Sequence, residues 1–156
     1  MEKYDLVTSG VSIPNGHNFI QGFGGWAFIL QLYRKDGTIH EKFGSGNMNN
    51  MSSTEMELMA VLMGLKNIPG GSRVTVFSPS VSIDVAISNK MIRKWERRGW
   101  KNKKGEKIRN IELWRQLSGQ MGRLQLSVNR IKGRNKNEIY CRCSEEAVKQ
   151  ARDLGQ

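Results

Sequence analysis

Between Gly24 and Tyr33 the apolar residues Trp26, Phe28, Leu30 and Leu32 fall on every second position, and Asp36-Gly37 follows them. Period-two alternation marks a strand with one buried face, and Asp-Gly is a turn dipeptide. The segment therefore reads as a strand that reverses into another through Ile39 to Phe43. Leu6 to Ser12 reads as an earlier strand, set off by a polar turn at Pro14-Asn15-Gly16, so the chain opens as an antiparallel meander. Ser52-Ser53-Thr54-Glu55 resembles a capping box ahead of Met56, Met59, Ala60 and Met63 at helical spacing, and that helix stops before Pro69-Gly70-Gly71. Val74 to Phe77 then reads as a short buried strand and Ile83 to Trp95 as helical. Asn110 can cap a helix carrying Ile111, Trp114, Leu117 and Met121 on one side. Leu124, Leu126 and Val128 alternate as a last strand, and Glu138 to Leu154 reads as a closing helix. This order predicts an α/β fold, a mixed sheet covered by helices.

A length of 156 residues fits one domain, 1–156, and 38% apolar residues suffice for a core. No apolar run is long enough to span a bilayer, and Met1-Glu2-Lys3-Tyr4-Asp5 lacks the apolar stretch of a signal peptide. Cys141 and Cys143 are too few and too close for a disulfide scaffold, which suits a reducing compartment. The expectation is a cytoplasmic, monomeric protein. Twenty-five basic residues against 14 acidic ones give a net charge of +11, which attracts polyanions, nucleic acid first among them. Ten of the basic residues lie between Lys90 and Asn110 with only Glu96 and Glu106 opposing them, a net +8, and Trp95 and Trp100 are interleaved. Such a segment, about 90–110, favours a phosphate-binding projection over a merely solvated helix and loop.

Several motifs lead nowhere. Gly22-Phe23-Gly24-Gly25-Trp26-Ala27 matches a dinucleotide fingerprint in letters but enters a strand instead of a helix. Cys141-Arg142-Cys143 is neither a zinc knuckle nor a redox pair, and His17 and His40 have no triad partners at a motif spacing.

Five stretches together resemble type 1 ribonuclease H: Thr8-Ser9-Gly10 followed by Gly24-Gly25-Trp26-Ala27-Phe28, Glu55-Met56-Glu57-Leu58-Met59-Ala60, Trp95-Glu96-Arg97-Arg98-Gly99-Trp100-Lys101, Asn110-Ile111-Glu112-Leu113-Trp114, and Ile131-Lys132-Gly133 with Asn137-Glu138. The third matches the family's basic handle. The resemblance implies a ribonuclease H-like fold: a five-stranded mixed sheet, three antiparallel strands then two parallel, flanked by helices and bearing the handle. It also implies cleavage of the RNA strand of RNA/DNA hybrids by four carboxylates around two magnesium ions, hard cations that need oxygen ligands and charge neutralisation.

Placed on that pattern, the four acidic positions fall on Ser9, Glu57, Pro79 and Cys141, so Glu57 alone is a carboxylate. Serine is neutral, proline has no ligand atom and cysteine sulfur is soft. Asp5 lies about 13 Å along the strand from Ser9, Glu55 points elsewhere on its helix, and Glu145, one turn beyond Cys141, is the plausible substitute. The family's mobile histidine position holds Arg134 in a shortened loop. By resemblance, Arg93, Lys94, Arg97, Arg98, Lys101, Lys103 and Lys104 straddle a nucleic-acid backbone with Trp95 and Trp100, and Lys132 and Arg134 add charge. Trp95 suits the handle's own core equally well. Ser52 and Asn110 match the family's DNA-phosphate pocket and suit helix capping equally.

Three readings follow. The favoured one is a nucleic-acid-binding pseudoenzyme without cofactor or nuclease activity, engaging RNA/DNA hybrid or duplex DNA. The second is a divergent ribonuclease H using Glu57 and Glu145 with magnesium or manganese. The third is a protein-interaction module on the same scaffold.

Overall fold

The computed structural model describes residues 2–15, 22–132 and 137–155. Three antiparallel strands come first, β1 (Lys3–Ile13), β2 (Gly22–Tyr33) and β3 (Ile39–Met51). Then follow α1 (Ser53–Leu65), β4 (Arg73–Ser78), α2 (Val81–Ser88), α3 (Met91–Arg97), α4 (Ile111–Arg123), β5 (Gln125–Arg130) and α5 (Glu138–Leu154). The sheet order is β3-β2-β1-β4-β5, with β1 parallel to β4 and β4 parallel to β5. This is the mixed ribonuclease H-like sheet that the sequence predicts. No helix among the described residues is long and apolar enough to cross a membrane.

Strand alternation divides the core in two. Leu6, Phe28, Leu30, Val74 and Val76 face α1 and α4 and join Leu58, Leu62 and Leu117 in the larger cluster. Val7, Ala27 and Ile29 face the other way and are sealed by Cys143 and Ala147 of α5. The Cys143 thiol donates to the carbonyls of Ala27 (3.2 Å) and Val7 (3.6 Å), and burial pushes its pKa up to about 12. It packs as a small hydrophobe.

Three details depart from the sequence reading. The third strand runs on to Met51 because its glycines accept aromatic cover: a Cβ at Gly44 would meet the Phe28 ring at 2.6 Å, and one at Gly46 the Trp26 ring at 2.6 Å. No apolar alternation announces such a strand. The helical stretch Ile83 to Trp95 is two helices, broken where Lys90 takes a left-handed backbone (φ 52°). Asn110 precedes α4 in the same conformation (φ 61°) and its side chain makes no capping hydrogen bond.

Candidate nucleic-acid interface and hydrolytic centre

The end of the sheet beyond β4 gathers the positions that matter. Gly10 lets β1 touch α1, since a Cβ there would lie 2.2 Å from the Glu57 nitrogen and 2.3 Å from the Met56 carbonyl carbon. Ser9, only 2% exposed, pairs with Ala27 and shares the face of Val7 and Val11 that α5 covers. β4 ends at Ser78, whose hydroxyl accepts the Ser80 N–H (3.1 Å). The Ser80 hydroxyl caps α2 by accepting the Ile83 N–H (3.2 Å) and lies near enough to the Glu57 carboxylate to influence its titration. Pro79 between the two serines is exposed. Cys141 occupies the first turn of α5, its N–H donating to the Asn137 carbonyl, and Glu145 is exposed one turn on.

Burial raises the Glu57 pKa above the ordinary carboxylate range, and the Ser80 hydroxyl opposes this in part. A carboxyl whose folded-state pKa is raised favours folding while protonated and loses that contribution as pH rises through the folded pKa. Glu57→Gln in chelator is therefore expected to raise the thermal midpoint at neutral pH, and the gain should close as pH falls from the raised Glu57 pKa to the ordinary glutamate range. A constant difference across that range in a pH series of melting curves would contradict it.

The other nearby acids are committed elsewhere. Glu55 completes the capping box, accepting the Ser52 N–H (3.0 Å) while Ser52 Oγ accepts the Glu55 N–H (3.2 Å). Asp5 accepts the Tyr33 hydroxyl (2.9 Å).

Beside this centre lies a cleft of about 570 Å³ between the starts of α1, α2 and α4. It brings Ser52, Ser53 and Thr54 together with Ser82, Arg109 and Asn110. Three helix N-termini and Arg109 thus border one concavity, an environment suited to an anion. Ser52 Oγ caps α1 by accepting the Glu55 N–H, which does not use its O–H; the Asn110 side chain caps nothing, so of the two roles open to it capping is removed.

The handle rises from the cleft's rim. Trp95 meets Trp114 edge to face (centroids 5.2 Å, 62°), and Trp100 lies under the Arg115 guanidinium at 5.3 Å. Both tryptophans pack on the larger core cluster, so Trp95 serves the handle's own core, though it also lines the cleft. Arg93, Lys94, Arg97, Arg98, Lys101, Lys103 and Lys104 are all exposed, and among the described residues none of them pairs with a carboxylate. They do not share one surface. Arg93 and Arg97, with Lys90, border a separate cleft of about 560 Å³ against α4 and β5. Lys132 lies apart again, in a polar groove with Arg130 and Asp84. Arg134 lies outside the described residues.

Residues 6–152 match the family model for RNase H. The chain belongs to the ribonuclease H family. It is 34% identical over 150 residues to a Ribonuclease H of Rhodopirellula baltica, covering 92% of this chain and 87% of the relative. It is 33% identical over 156 residues to a Ribonuclease H of Syntrophomonas wolfei, covering 99% and 100% of the two chains. In backbone it is similar to the crystal structure of LC9-RNase H1, a type 1 RNase H with the type 2 active-site motif: TM-score 0.83 at 19% identity, over 98% of this chain and 74% of that one.

These relatives correct the inference of a pseudoenzyme. Sequences about one-third identical along essentially the whole chain are named Ribonuclease H, an enzyme family. Three of the four acidic positions of the family pattern hold Ser9, Pro79 and Cys141, yet similarity to the family model extends over 147 residues.

The donor set itself does not fit the two-ion arrangement that the family pattern implies. Among the described residues no three of His, Cys, Asp and Glu gather to hold a metal ion. Glu57 therefore belongs to no such group among the described residues, and these side chains alone do not make a two-ion cage. Sequence reasoning missed Ser53, Thr54, Ser80, Ser82 and Arg109. Arg109 was visible as one of the ten clustered cations, whereas the role of Ser80 depends on a contact between α2 and α1 that no spacing discloses.

Proposed function

We propose that this protein acts as a ribonuclease H on RNA/DNA hybrids, with the DNA backbone held by the cleft at Ser52, Arg109 and Asn110 and by the exposed handle cations. The observation that carries the binding half is the convergence of Asn110, left-handed and not capping, with Arg109 and the α1 and α2 N-termini in one cleft. Support for the hydrolytic half comes from family membership and from the occurrence of a type 1 fold with a different active-site motif in LC9-RNase H1. Glu57 and Glu145 are the carboxylates this reading makes available at the centre.

The test is a hybrid with labelled RNA, incubated with magnesium or manganese. Cleavage of the RNA strand that falls at least tenfold in Glu57→Gln is the expected outcome; intact RNA under saturating protein with either ion overturns the hydrolytic half. Binding is read separately in chelator. If about five phosphates are neutralised, the log–log salt slope is about −4.5 for a B-form backbone. A slope near zero would remove the electrostatic account. Duplex DNA in parallel shows whether the cleft prefers a hybrid.

A further inference from the structure

The handle's tip is built around Asn102, a residue that in sequence looks only like a break in the basic run. Its Oδ1 accepts two backbone N–H groups, those of Lys104 (2.9 Å) and Glu106 (3.0 Å). Its own N–H donates to the Glu106 carbonyl (2.8 Å), and its carbonyl accepts the Gly105 N–H (3.0 Å). Lys101 and Lys107 form an antiparallel bridge just below, and the Ile108 N–H donates to the Trp100 carbonyl (3.0 Å). Gly105 closes the turn in a left-handed conformation (φ 81°). One side chain thus holds both ends of a five-residue loop, and Lys103 and Lys104 stand exposed on that loop.

The geometry points to Asn102 as a positioning residue for nucleic-acid binding: it fixes the loop that presents Lys103 and Lys104 to the phosphate backbone. The inference rests on the reading of the handle as a nucleic-acid surface. A lysine ammonium on a flexible stem gains most from a backbone that is already ordered, because less freedom is lost on binding. Without the two N–H···Oδ1 bonds the charges remain but their mounting loosens. Affinity should then fall while the number of phosphates neutralised stays constant, a combination that simple charge removal cannot produce.

The experiment measures hybrid binding in chelator across a salt series for the full chain. Asn102→Ala is expected to weaken binding five- to twentyfold with an unchanged log–log salt slope. Asn102→Asp and Asn102→Glu carry the same added charge, but only the shorter carboxylate is placed to accept both N–H groups. Asp should therefore bind at least threefold tighter than Glu. Amide exchange at Lys104 and Glu106 should quicken in the Ala and Glu variants and not in Asp. The double variant Lys103→Ala with Lys104→Ala provides the reference, since it should weaken binding and flatten the slope by about two. If that double variant weakens binding while Asn102→Ala stays within twofold of the parent, the inference about Asn102 is overturned and the handle reading stands. If the double variant also leaves affinity unchanged, the tip is no binding surface and the inference about Asn102 fails, while the rest of the handle is judged by Arg97, Arg98 and Lys101.

Discussion

Gly10→Ala is expected to destabilise the protein by about 3 kcal/mol or more, a drop of roughly 6–12 °C in thermal midpoint for a chain of this size. The added carbon would sit 2.2 Å from the Glu57 nitrogen and 2.3 Å from the Met56 carbonyl carbon, both backbone atoms of a buried helix that cannot step aside. Gly64→Ala, in that same helix, is the informative comparison. Its Cβ would meet the Leu6 side chain (2.5 Å to Cδ1) and no backbone atom among its nearest neighbours, and alanine gains about 1 kcal/mol of helix propensity over glycine. Gly64→Ala should therefore cost far less. Equal melting points for the two variants would mean that the β1–α1 contact is not the rigid element that places Glu57.

Charge reversal of Arg97, Arg98 and Lys101 to glutamate should weaken hybrid binding at least about a hundredfold near 0.1 M salt and reduce the salt slope by roughly three. The three side chains are exposed and, among the described residues, unpaired with any carboxylate, so the fold loses little when they change. The thermal midpoint is the control for that claim. Affinity within threefold of the parent, with an intact melt, would show that the handle does not meet the backbone. Arg93 and Arg97 border the cleft against α4 and β5, whereas Arg98 and Lys101 do not, and this adds a finer expectation. Arg98→Glu and Lys101→Glu together should do more harm than Arg93→Glu and Arg97→Glu, whose side chains border the cleft against α4 and β5.

What the sequence disclosed and what it withheld follow one rule. Elements with periodic apolar residues were legible: the alternation through Trp26, Phe28, Leu30 and Leu32 is β2, the Ser52-Glu55 box caps α1 as read, and the last helix has the expected bounds, Glu138–Leu154. Elements that owe their form to glycine or to left-handed backbone were not. The second half of β3 is held by rings lying over Gly44 and Gly46, and the break at Lys90 follows from a φ of 52° that lysine's side chain does not advertise. The candidate interface shows the same division. Its cations were countable, but the seating of Arg93 and Arg97 against α4 and β5, the meeting of Asn110 with the α1 N-terminus, and the approach of Ser80 to Glu57 all require distant segments to be brought together. Function follows the same division: the residues at four positions point away from a nuclease, whereas similarity along the whole chain places it among ribonucleases H.

The two tryptophans of the handle carry a last consequence. Because Trp95 leans on Trp114 and Trp100 packs with it against the larger core, the projection is mechanically part of the globule and not an appendage able to melt alone. Grip and cohesion are then thermodynamically linked. A polyanion bound at the handle stiffens the body that bears it, and amides deep in α4 should register its arrival by slower exchange. A loosened core, conversely, would slacken the hold long before the chain came apart.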